Sequence, residues 1–297
     1  MSVILVTGAK GQLGNELQQL AAWYPQFVFY FTGTEELSIT DEAAIMQAFE
    51  KWKPAFCINC AAYTAVDKAE NNIETCRLIN ATAVGYLSKA CQQYGTKLVH
   101  ISTDYVFDGT KNTAYTEQDT PNPQSVYGRT KLEGEQLALA NNPDTLILRT
   151  SWVYSTFGNN FVKTMMRLMN DRESLNVVND QVGSPTYAKN LAAAILDIIA
   201  NSQLSTANSK LSTAQWHSGI FHFSNQAEIS WFDFATVIKE MTGSQCAINP
   251  IPTTAYPTPA KRPMYSLMDK TKFTSTFGIA LMPWKGSLQA CIALLKK

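Results

Sequence analysis

Short runs of apolar residues alternate with longer segments of mixed polarity over the first half of the chain. The apolar runs are rich in β-branched and aromatic residues and predict strands over residues 3–6, 27–31, 55–59, 97–101 and 145–149. The mixed segments predict helices over residues 12–22, 41–51 (with Asp41 as N-cap), within 71–94 and over 131–140. Continuous apolar strands that alternate with helices are typical of a parallel sheet covered on both faces.

This alternation ends near Arg149. Beyond it, the pattern predicts helices over 161–169, 191–200 and 231–241, a short strand over 221–223 and a polar surface loop over 201–213. The five prolines between Pro250 and Pro263 predict an irregular segment. We therefore expect an α/β protein with a Rossmann-like, doubly wound parallel sheet and a smaller, mixed C-terminal substrate domain.

Composition narrows the classes of function. The 297 residues include 24 basic and 24 acidic side chains, so the net charge is zero and argues against a nucleic-acid or anionic-membrane surface. No apolar run approaches the roughly 18 residues of a membrane span, and the N-terminus does not resemble a secretory signal. Six irregularly spaced cysteines do not predict a disulfide scaffold. We expect a soluble cytoplasmic protein.

The Cys57-Ile-Asn-Cys60 segment matches a redox CxxC motif, but it lies in a predicted strand. Residues three apart in a strand point to opposite faces, which favours two buried thiols over a redox pair. His100, His217 and His222 lack the spacing of metal ligands, so no metal site is expected.

Three glycines, Gly8, Gly11 and Gly14, follow the first predicted strand and open the first predicted helix. Glycine permits a tight turn and lets the backbone approach a pyrophosphate, while the helix N-terminus offers free N–H groups to the anion. A purely structural turn is the alternative. The motif predicts a dinucleotide cofactor, NADPH or NADH.

The choice between these two cofactors stays open. The end of the second predicted strand reads Thr32-Gly33-Thr34, with no acid to hold an adenosine ribose and no arginine to bind a 2′-phosphate. Lys10 is the nearest candidate cation.

Tyr127 and Lys131 are four residues apart, which on a helix places both on one face. A lysine cation beside a tyrosine stabilises the phenolate and lowers its pKa, which suits acid–base work. Ser102 and Thr103 lie where a predicted strand ends, at the edge of the sheet where ligands bind in such folds.

The glycine loop, the strand-end hydroxyls and the Tyr-x-x-x-Lys motif, in this order, resemble the extended short-chain dehydrogenase/reductase superfamily. Within it, the chain is similar to the dTDP-4-dehydrorhamnose reductase family. The blocks that carry this similarity span nearly the whole chain: AAYTAVDKAE (61–70), STDYVFDG (102–109), YGRTKLEGE (127–135), RTSWVY (149–154), NNF (159–161), NDQVGSPT (179–186) and YPTPAKRP (256–263).

The resemblance implies an activity: reduction by NAD(P)H of the 4-keto group of dTDP-6-deoxy-L-lyxo-4-hexulose to dTDP-L-rhamnose. It also implies catalytic roles. Tyr127 would protonate the C4 oxygen, Lys131 would tune Tyr127 and bind the nicotinamide ribose, and Thr103 would hydrogen-bond the same oxygen in place of the superfamily serine. The sugar nucleotide would contact Thr103, Asp104, Trp152 and Arg262.

Besides Tyr127 and Lys131, the implied cofactor contacts fall on three segments of the chain. The first lines the pyrophosphate and comprises Gly8, Gly11, Gln12, Leu13 and Gly14. The second lines the middle of the cofactor, at the end of a fourth strand, and comprises Ala62, Tyr63 and Thr64. The third is on the adenine side and comprises Ser38 and Ile39, where the family often carries an acid near the end of this motif and this chain has Ser38.

Structural alternatives exist for the substrate contacts. Asp104 could bond backbone at the strand end, Trp152 could belong to a core, and Arg262 with Lys261 could be a solvated basic pair rather than a clamp on the diphosphate.

The predicted division assigns residues 1–150 with 187–225 to a dinucleotide-binding domain, and 151–186 with 226–297 to a sugar-nucleotide domain. The expected partner is a dTDP-sugar, with no nucleic acid and no membrane, and the chain would be a monomer or homodimer. Other nucleotide-sugar reductases or epimerases of the superfamily remain alternatives. So does a non-catalytic cofactor-binding subunit, against which the presence of Thr103, Tyr127 and Lys131 argues.

Overall fold

The strands of the protein form one large sheet and several two-stranded ones. The computed structural model describes residues 1–204 and 215–296. The strands in chain order are β1 (Ser2–Thr7), β2 (Phe27–Thr32), β3 (Phe56–Asn59), β4 (Lys97–Thr103), β5 (Thr145–Thr150), β6 (Val153–Tyr154), β7 (Ser174–Val178), β8 (Val182–Gly183), β9 (Thr186–Tyr187), β10 (Gly219–His222), β11 (Ile229–Ser230) and β12 (Ala247–Ile251).

The large sheet has the order β10-β5-β4-β3-β1-β2, and each of its neighbouring pairs is parallel. The carboxyl ends of its strands therefore share one edge. The order reverses beside β1, which lies between β2 and β3, and such a reversal opens a crevice for a ligand. The predicted Rossmann-like sheet is confirmed.

Helices cover both faces of this sheet. In chain order they are α1 (Gln12–Leu20), α2 (Glu42–Trp52), α3 (Val66–Ala69), α4 (Ile73–Arg77), α5 (Ala83–Tyr94), α6 (Val126–Asn141), α7 (Phe161–Asp171), α8 (Ala188–Ser202), α9 (Trp231–Thr242), α10 (Thr271–Phe277) and α11 (Trp284–Leu295). One apolar core lies between the sheet and helices α1, α8 and α10, and a second lies beneath α2 and α5. Cys57 packs in the second core and Cys60 against the first, so the thiols lie on opposite faces as expected.

Helix α6 begins at Val126, five residues before its predicted start, which is a correction that matters for function. Ser125 caps the helix by accepting a hydrogen bond from the backbone N–H of Gly128. The first turn contains glycine and polar residues and so lacks the apolar spacing of a helix. The pattern therefore did not predict that the helix includes this turn. With this start, Tyr127 and Lys131 both lie on α6, one turn apart.

The chain beyond β5, called the second part of the chain below, has a core of its own between α7, α9 and α11. Phe234 and Leu288 are fully buried in this core. The segment predicted to be irregular from Pro250 is corrected at its beginning, because β12 includes Pro250 and pairs in parallel with β7. Proline is tolerated there because β12 is an edge strand with one partner. Strands β6, β8, β9 and β11 have two residues each, which is too short for the apolar pattern to predict.

The division of the chain into the two predicted sets of residues stays a prediction. Helix α10 falls in the predicted sugar-nucleotide domain, yet its Phe273 and Phe277 pack in the core of the large sheet. Of the predicted loop over 201–213, helix α8 includes residues 201–202, and residues 205–213 lie outside the described residues. In the described ranges, no helix is long and apolar enough to cross a membrane.

A buried ion pair joins α6 to the sheet. Arg149 on β5 and Glu135 on α6 are each 1% exposed and form two hydrogen bonds of 2.9 and 2.6 Å. The guanidinium also lies 5.2 Å from the ring centroid of Phe107. We expect Glu135→Gln to lower the free energy of unfolding by about 3–5 kcal/mol, because it leaves the Arg149 charge buried without its anion.

Urea denaturation of Glu135→Gln measures this loss, and Glu133→Gln is the matched control. Glu133 lies on the same helix and pairs with Arg77, but both side chains are partly exposed, at 34% and 57%. Solvent screens such a pair, so the control should leave the free energy of unfolding nearly unchanged. Equal losses in the two variants would contradict the prediction.

Candidate active site

The glycine loop after β1 is shaped for a close approach of the backbone to a ligand. Gly8 has φ of 68°, and a Cβ there would lie 2.5 Å from the backbone nitrogen of Ala61. A Cβ on Gly14 would lie 2.5 Å from the carbonyl oxygen of Gly8. Gly11 is the N-cap of α1 and no side chain caps this helix, which leaves its first N–H groups for an anion.

The two side chains of this loop that were predicted to line the pyrophosphate point elsewhere. Leu13 is 8% exposed and packs in the core. Gln12 bonds the second part of the chain, donating to the carbonyl of Val153 at 3.4 Å and accepting from Asn160 at 3.0 Å. Only their backbone groups suit a phosphate contact.

An acid does lie at the end of β2, although the sequence shows none at Thr32. The Glu36 carboxylate accepts a 2.8 Å hydrogen bond from the backbone N–H of Gly33. Lys10 lies there too, 2.7 Å from Glu35 and 3.6 Å from Glu36. The structure thus brings the predicted cation to this position together with two carboxylates that pattern reasoning missed.

The other two predicted cofactor segments follow β3 and β2, and so begin at the same edge of the sheet. The loop with Ala62, Tyr63 and Thr64 follows β3, the third strand of the chain and not a fourth. Asn80 anchors it, accepting from the backbone N–H of Tyr63 at 2.8 Å and donating to its carbonyl at 3.1 Å. This asparagine is fully buried in a π-helical turn between α4 and α5, a type of turn frequent at functional sites.

On the adenine side, the side chain of Ile39 is buried in the core beneath α2. The Ser38 hydroxyl lies 2.9 Å from that of Thr40. Their backbone and the Ser38 hydroxyl are the groups that a ligand can reach.

The candidate catalytic residues meet where β4 ends beside the first turn of α6. Thr103 is the last residue of β4, and its hydroxyl donates to Asp104 at 3.0 Å. Tyr127 is half-buried and packs edge-to-face on Tyr105, with ring centroids 5.5 Å apart. Burial raises the pKa of Tyr127 above its usual value, and the nearby Thr103 hydroxyl offsets part of this rise.

The direction of this pKa shift corrects the sequence-based expectation. We expected the Lys131 cation to lower the pKa of Tyr127, but burial dominates. Lys131 is 2% exposed, donates a 2.6 Å hydrogen bond to the carbonyl of Ile101 and lies 3.4 Å from His100 Nε2. Burial lowers the pKa of Lys131 to about 8, against the opposing charge of Glu135. In this state Tyr127 is a protonated phenol and therefore a competent acid.

Asp104 is 2% exposed, and burial raises its pKa to about 6, although the nearby hydroxyl groups of Ser266 and Thr103 offset part of the rise. Among the described residues, no hydrogen-bond partner meets Asp104 Oδ2 or the buried hydroxyl of Ser102. Buried polar atoms rarely lack partners. Asp104 is close enough to Tyr127 to affect its pKa, so the unpartnered Asp104 oxygen fits a site that a polar substrate completes.

Trp152 packs against the core between α7, α9 and α11, as its structural alternative anticipated. Its ring stacks on Trp231 with centroids 3.6 Å apart, and a Cβ on Gly183 would lie 3.0 Å from it. The residue has φ of 48°, a left-handed conformation that is costly for a large side chain. The ring is still partly exposed, so the sugar contact stays a prediction.

Arg262 is not a solvated charge. It holds Asp67 through two hydrogen bonds, Nη1 to Oδ1 at 3.0 Å and Nη2 to Oδ2 at 2.8 Å. Its guanidinium lowers the pKa of Asp67. Lys261 beside it is exposed. The contact of Arg262 with a diphosphate stays a prediction. Asp67 already accepts from two N–H groups of this guanidinium.

Several residues of the site carried no sequence signal. These residues are Asn59, Asp67, Asn80, His100 and Ser266. Each acts through contacts with residues that are distant in the sequence, and a single polar residue is not distinctive in a sequence. The π-helical turn at Asn80 and the pairing of Asp67 with Arg262 emerge only when the chain is folded.

Comparisons with known proteins show which proteins this chain resembles. The family model described as RmlD substrate binding domain matches residues 1–297. A dTDP-4-dehydrorhamnose reductase of Aggregatibacter actinomycetemcomitans is 39% identical over 295 residues, covering 97% of this chain and 98% of that protein. The crystal structure of a Clostridium acetobutylicum dTDP-4-dehydrorhamnose reductase has a TM-score of 0.90 and 41% identity, covering 99% of this chain and 100% of its own. That of a Bacillus anthracis dTDP-4-dehydrorhamnose reductase, in complex with NADP, has a TM-score of 0.90, 36% identity and the same coverage.

The ionisation of Asp104 gives a prediction about stability. Its pKa is about 6 in the folded protein and 3.8 in a free side chain, so its stabilising contribution is complete below pH 4 and is lost as the pH rises through 6. Asparagine does not titrate. The free energy of unfolding of Asp104→Asn, relative to the unsubstituted protein, should therefore increase by up to about 3 kcal/mol between pH 4 and pH 7.

Urea denaturation of both proteins at the two pH values measures this difference, because effects that do not depend on pH cancel. Asp108→Asn is the control, since hydrogen bonds, first of all from the backbone of Thr110, lower the pKa of Asp108 to about 2. Asp108 is ionised at both pH values, so its variant should show no such increase. A flat difference for Asp104→Asn would show that the carboxyl is not held in its neutral form.

Proposed function

This chain belongs to the family of the RmlD substrate binding domain, and we propose that it reduces the 4-keto group of dTDP-6-deoxy-L-lyxo-4-hexulose to give dTDP-L-rhamnose. The observation that carries the proposal is the meeting of Tyr127, Lys131 and Thr103 at the carboxyl edge of the sheet. The glycine loop lies at the same edge, next to the reversal of strand order. A protonated phenol and a phosphate cradle in one crevice are what a nucleotide-dependent carbonyl reductase needs.

The residues present fit a nicotinamide dinucleotide, NADPH or NADH. The uncapped start of α1 and the close approach at Gly8 suit its pyrophosphate. The anchored loop at Tyr63 and the segment at Ser38 lie toward its middle and its adenine side. When bound, this cofactor supplies a hydride to the carbonyl carbon. The remaining chemistry belongs to the side chains of the protein.

Tyr127 is the proton donor in this proposal. As the carbonyl oxygen gains negative charge, the phenol transfers its proton to that oxygen and becomes a phenolate. The raised pKa of Tyr127 keeps the proton on the phenol until the substrate oxygen is more basic. Lys131, one turn further along α6, stabilises the phenolate. The Thr103 hydroxyl, which donates to Asp104 in the absence of substrate, turns to donate to the same substrate oxygen.

The sugar nucleotide occupies the space between the sheet edge and the second part of the chain in this proposal. The unpartnered Oδ2 of Asp104 and the Ser102 hydroxyl offer acceptor and donor capacity for hexose hydroxyls. Trp152 presents its exposed edge to the hexose, and the Arg262 donors not used by Asp67 face the diphosphate. Binding of these remote groups would position the keto carbon, which assists the chemical step.

The decisive experiment incubates the purified protein with dTDP-6-deoxy-L-lyxo-4-hexulose and either NADPH or NADH. Loss of the nicotinamide absorbance band is followed, and the product is identified by NMR. Stoichiometric oxidation of the cofactor with formation of dTDP-L-rhamnose is the expected result. Formation of an isomeric ketosugar without net oxidation would mean an epimerase and would overturn the proposal.

Tyr127→Phe should reduce turnover by about 10²–10⁴-fold, the usual contribution of general acid catalysis, and leave cofactor affinity nearly unchanged. Only the hydroxyl is lost, while the ring and Lys131 remain. Steady-state kinetics and cofactor titration measure the two effects.

Tyr24→Phe is the matched control for this substitution. It makes the same chemical change in a residue that bonds Asp197 on α8, away from the site, and should not affect turnover. Near-normal turnover in Tyr127→Phe would remove this residue from the mechanism.

Discrimination between NADPH and NADH should be weak, within about tenfold, because Lys10 can meet a 2′-phosphate while Glu35 and Glu36 oppose it. Lys10→Ala should lower the affinity for NADPH and leave that for NADH unchanged. Glu36→Gln should raise the affinity for NADPH. Fluorescence titration of each cofactor measures these affinities. If neither substitution changes the preference between NADPH and NADH, the residue that selects the cofactor lies elsewhere.

A further inference from the structure

A chain of buried hydrogen bonds runs beneath the candidate catalytic lysine, across three neighbouring strands. The Thr7 hydroxyl on β1 donates to Asn59 Oδ1 on β3 at 2.7 Å, and Asn59 Nδ2 lies 3.1 Å from His100 Nδ1 on β4. The other imidazole nitrogen, Nε2, lies 3.4 Å from Lys131 Nζ. Thr7, Asn59 and His100 are at most 1% exposed, so water does not compete for these contacts.

The orientation of the Asn59 amide is fixed by its neighbours. The backbone N–H of Ala61 donates to Asn59 Oδ1 at 3.2 Å, in addition to the Thr7 hydroxyl. A backbone N–H can only donate, so the acceptor end of the amide must face it. The NH₂ end of Asn59 must then face His100 Nδ1, which accepts this hydrogen bond and carries no proton.

The tautomer of His100 follows from this contact. Burial first, and the charge of Lys131 second, lower the pKa of His100, so the imidazole is neutral. A neutral imidazole carries one proton. With Nδ1 as acceptor, that proton is on Nε2, the nitrogen directed at Lys131 Nζ.

An ammonium group has three donors and no acceptor, so the N–H of His100 cannot bond to it. An amine, by contrast, can accept from Nε2–H while it donates to the carbonyl of Ile101. The other groups that face Lys131 do not restore an anion partner: Glu135 holds Arg149, Cys76 carries a thiol whose pKa burial raises, and Tyr127 is a phenol.

We propose that His100 is a positioning residue for the reduction, which presents Nε2–H to Lys131 and thereby disfavours the ammonium form in the resting site. This inference rests on the proposed function for its role in turnover. Its consequence is that Lys131 holds its third proton firmly only when an acceptor faces it, namely the Tyr127 phenolate or a cofactor hydroxyl. The charge of the lysine is then coupled to the state of the site.

The tautomer can be measured directly, without activity and without a variant. The chain has three histidines, so the ¹⁵N shifts of His100 in labelled protein can be assigned by comparison with His100→Gln. We expect a neutral imidazole protonated at Nε2 throughout pH 6–8. A proton on Nδ1 would overturn the inference, whatever the enzyme does.

Two isosteric or near-isosteric substitutions test the effect on Lys131. His100→Gln can turn its amide oxygen toward Nζ, which offers the ammonium an acceptor. Asn59→Asp keeps the shape of the side chain but accepts from Nδ1–H, which turns the imidazole into the tautomer whose Nε2 accepts. Both changes favour the ammonium by different means, and either one is sufficient if the other fails to fold.

The readout is the high-pH limb of the pH profile, that is, the pH at which NADPH affinity declines on the alkaline side. The same limb is measured for turnover with the ketosugar. In both variants this limb should move up by about one pH unit or more, which is a tenfold change in proton affinity. Thr7→Val is the control, since Ala61 N–H still orients Asn59, and its limb should stay in place. Limbs of His100→Gln and Asn59→Asp that coincide with the unsubstituted protein would overturn the proposal. The NADPH profile and the tautomer need no substrate, so a failure of the proposed function would show separately, as absent ketosugar turnover.

Discussion

The 2.6 Å hydrogen bond from Lys131 Nζ to the carbonyl of Ile101 joins helix α6 to strand β4, and the candidate site depends on it. Lysine reaches the strand because Ser125 starts α6 early enough to place Tyr127 and Lys131 over the carboxyl edge of the sheet. The parallel pairing of β3, β4 and β5 then delivers the remaining polar groups to that edge. One helix start and one strand register thus assemble residues from separate segments of the chain.

Burial is the electrostatic cause that unites the site. It raises the pKa of Tyr127 and of Asp104, and it lowers the pKa of Lys131 and of His100. Each shift favours the neutral form, because a low-dielectric surrounding penalises charge of either sign. A site with so few compensating charges costs stability in the free protein. It also gives strong interactions to any charge that develops during a reaction there, since little water screens it.

The second part of the chain contributes to the site by contacts that close it from one side. Arg262 reaches Asp67 across 195 positions of sequence, and Gln12 of the glycine loop bonds the segment that holds Val153. Trp152 packs against the core between α7, α9 and α11 in a left-handed backbone conformation, stacked on Trp231. A backbone strain of this kind persists only where the surrounding packing holds it, and it is concentrated at functional sites.

The sequence by itself determined the α/β class, the large sheet, the glycine loop and the family, because apolar periodicity and motif spacing are local properties that survive without the fold. It did not determine the start of α6, the strand at Pro250, the carboxylates beside Lys10 or the partner of Arg262. Nor could it determine that burial raises the pKa of Tyr127, with the nearby Thr103 hydroxyl offsetting part of the rise. Only the tertiary structure decides such cases, because desolvation, tautomer and ion pairing depend on which distant residues pack against a group and exclude water from it.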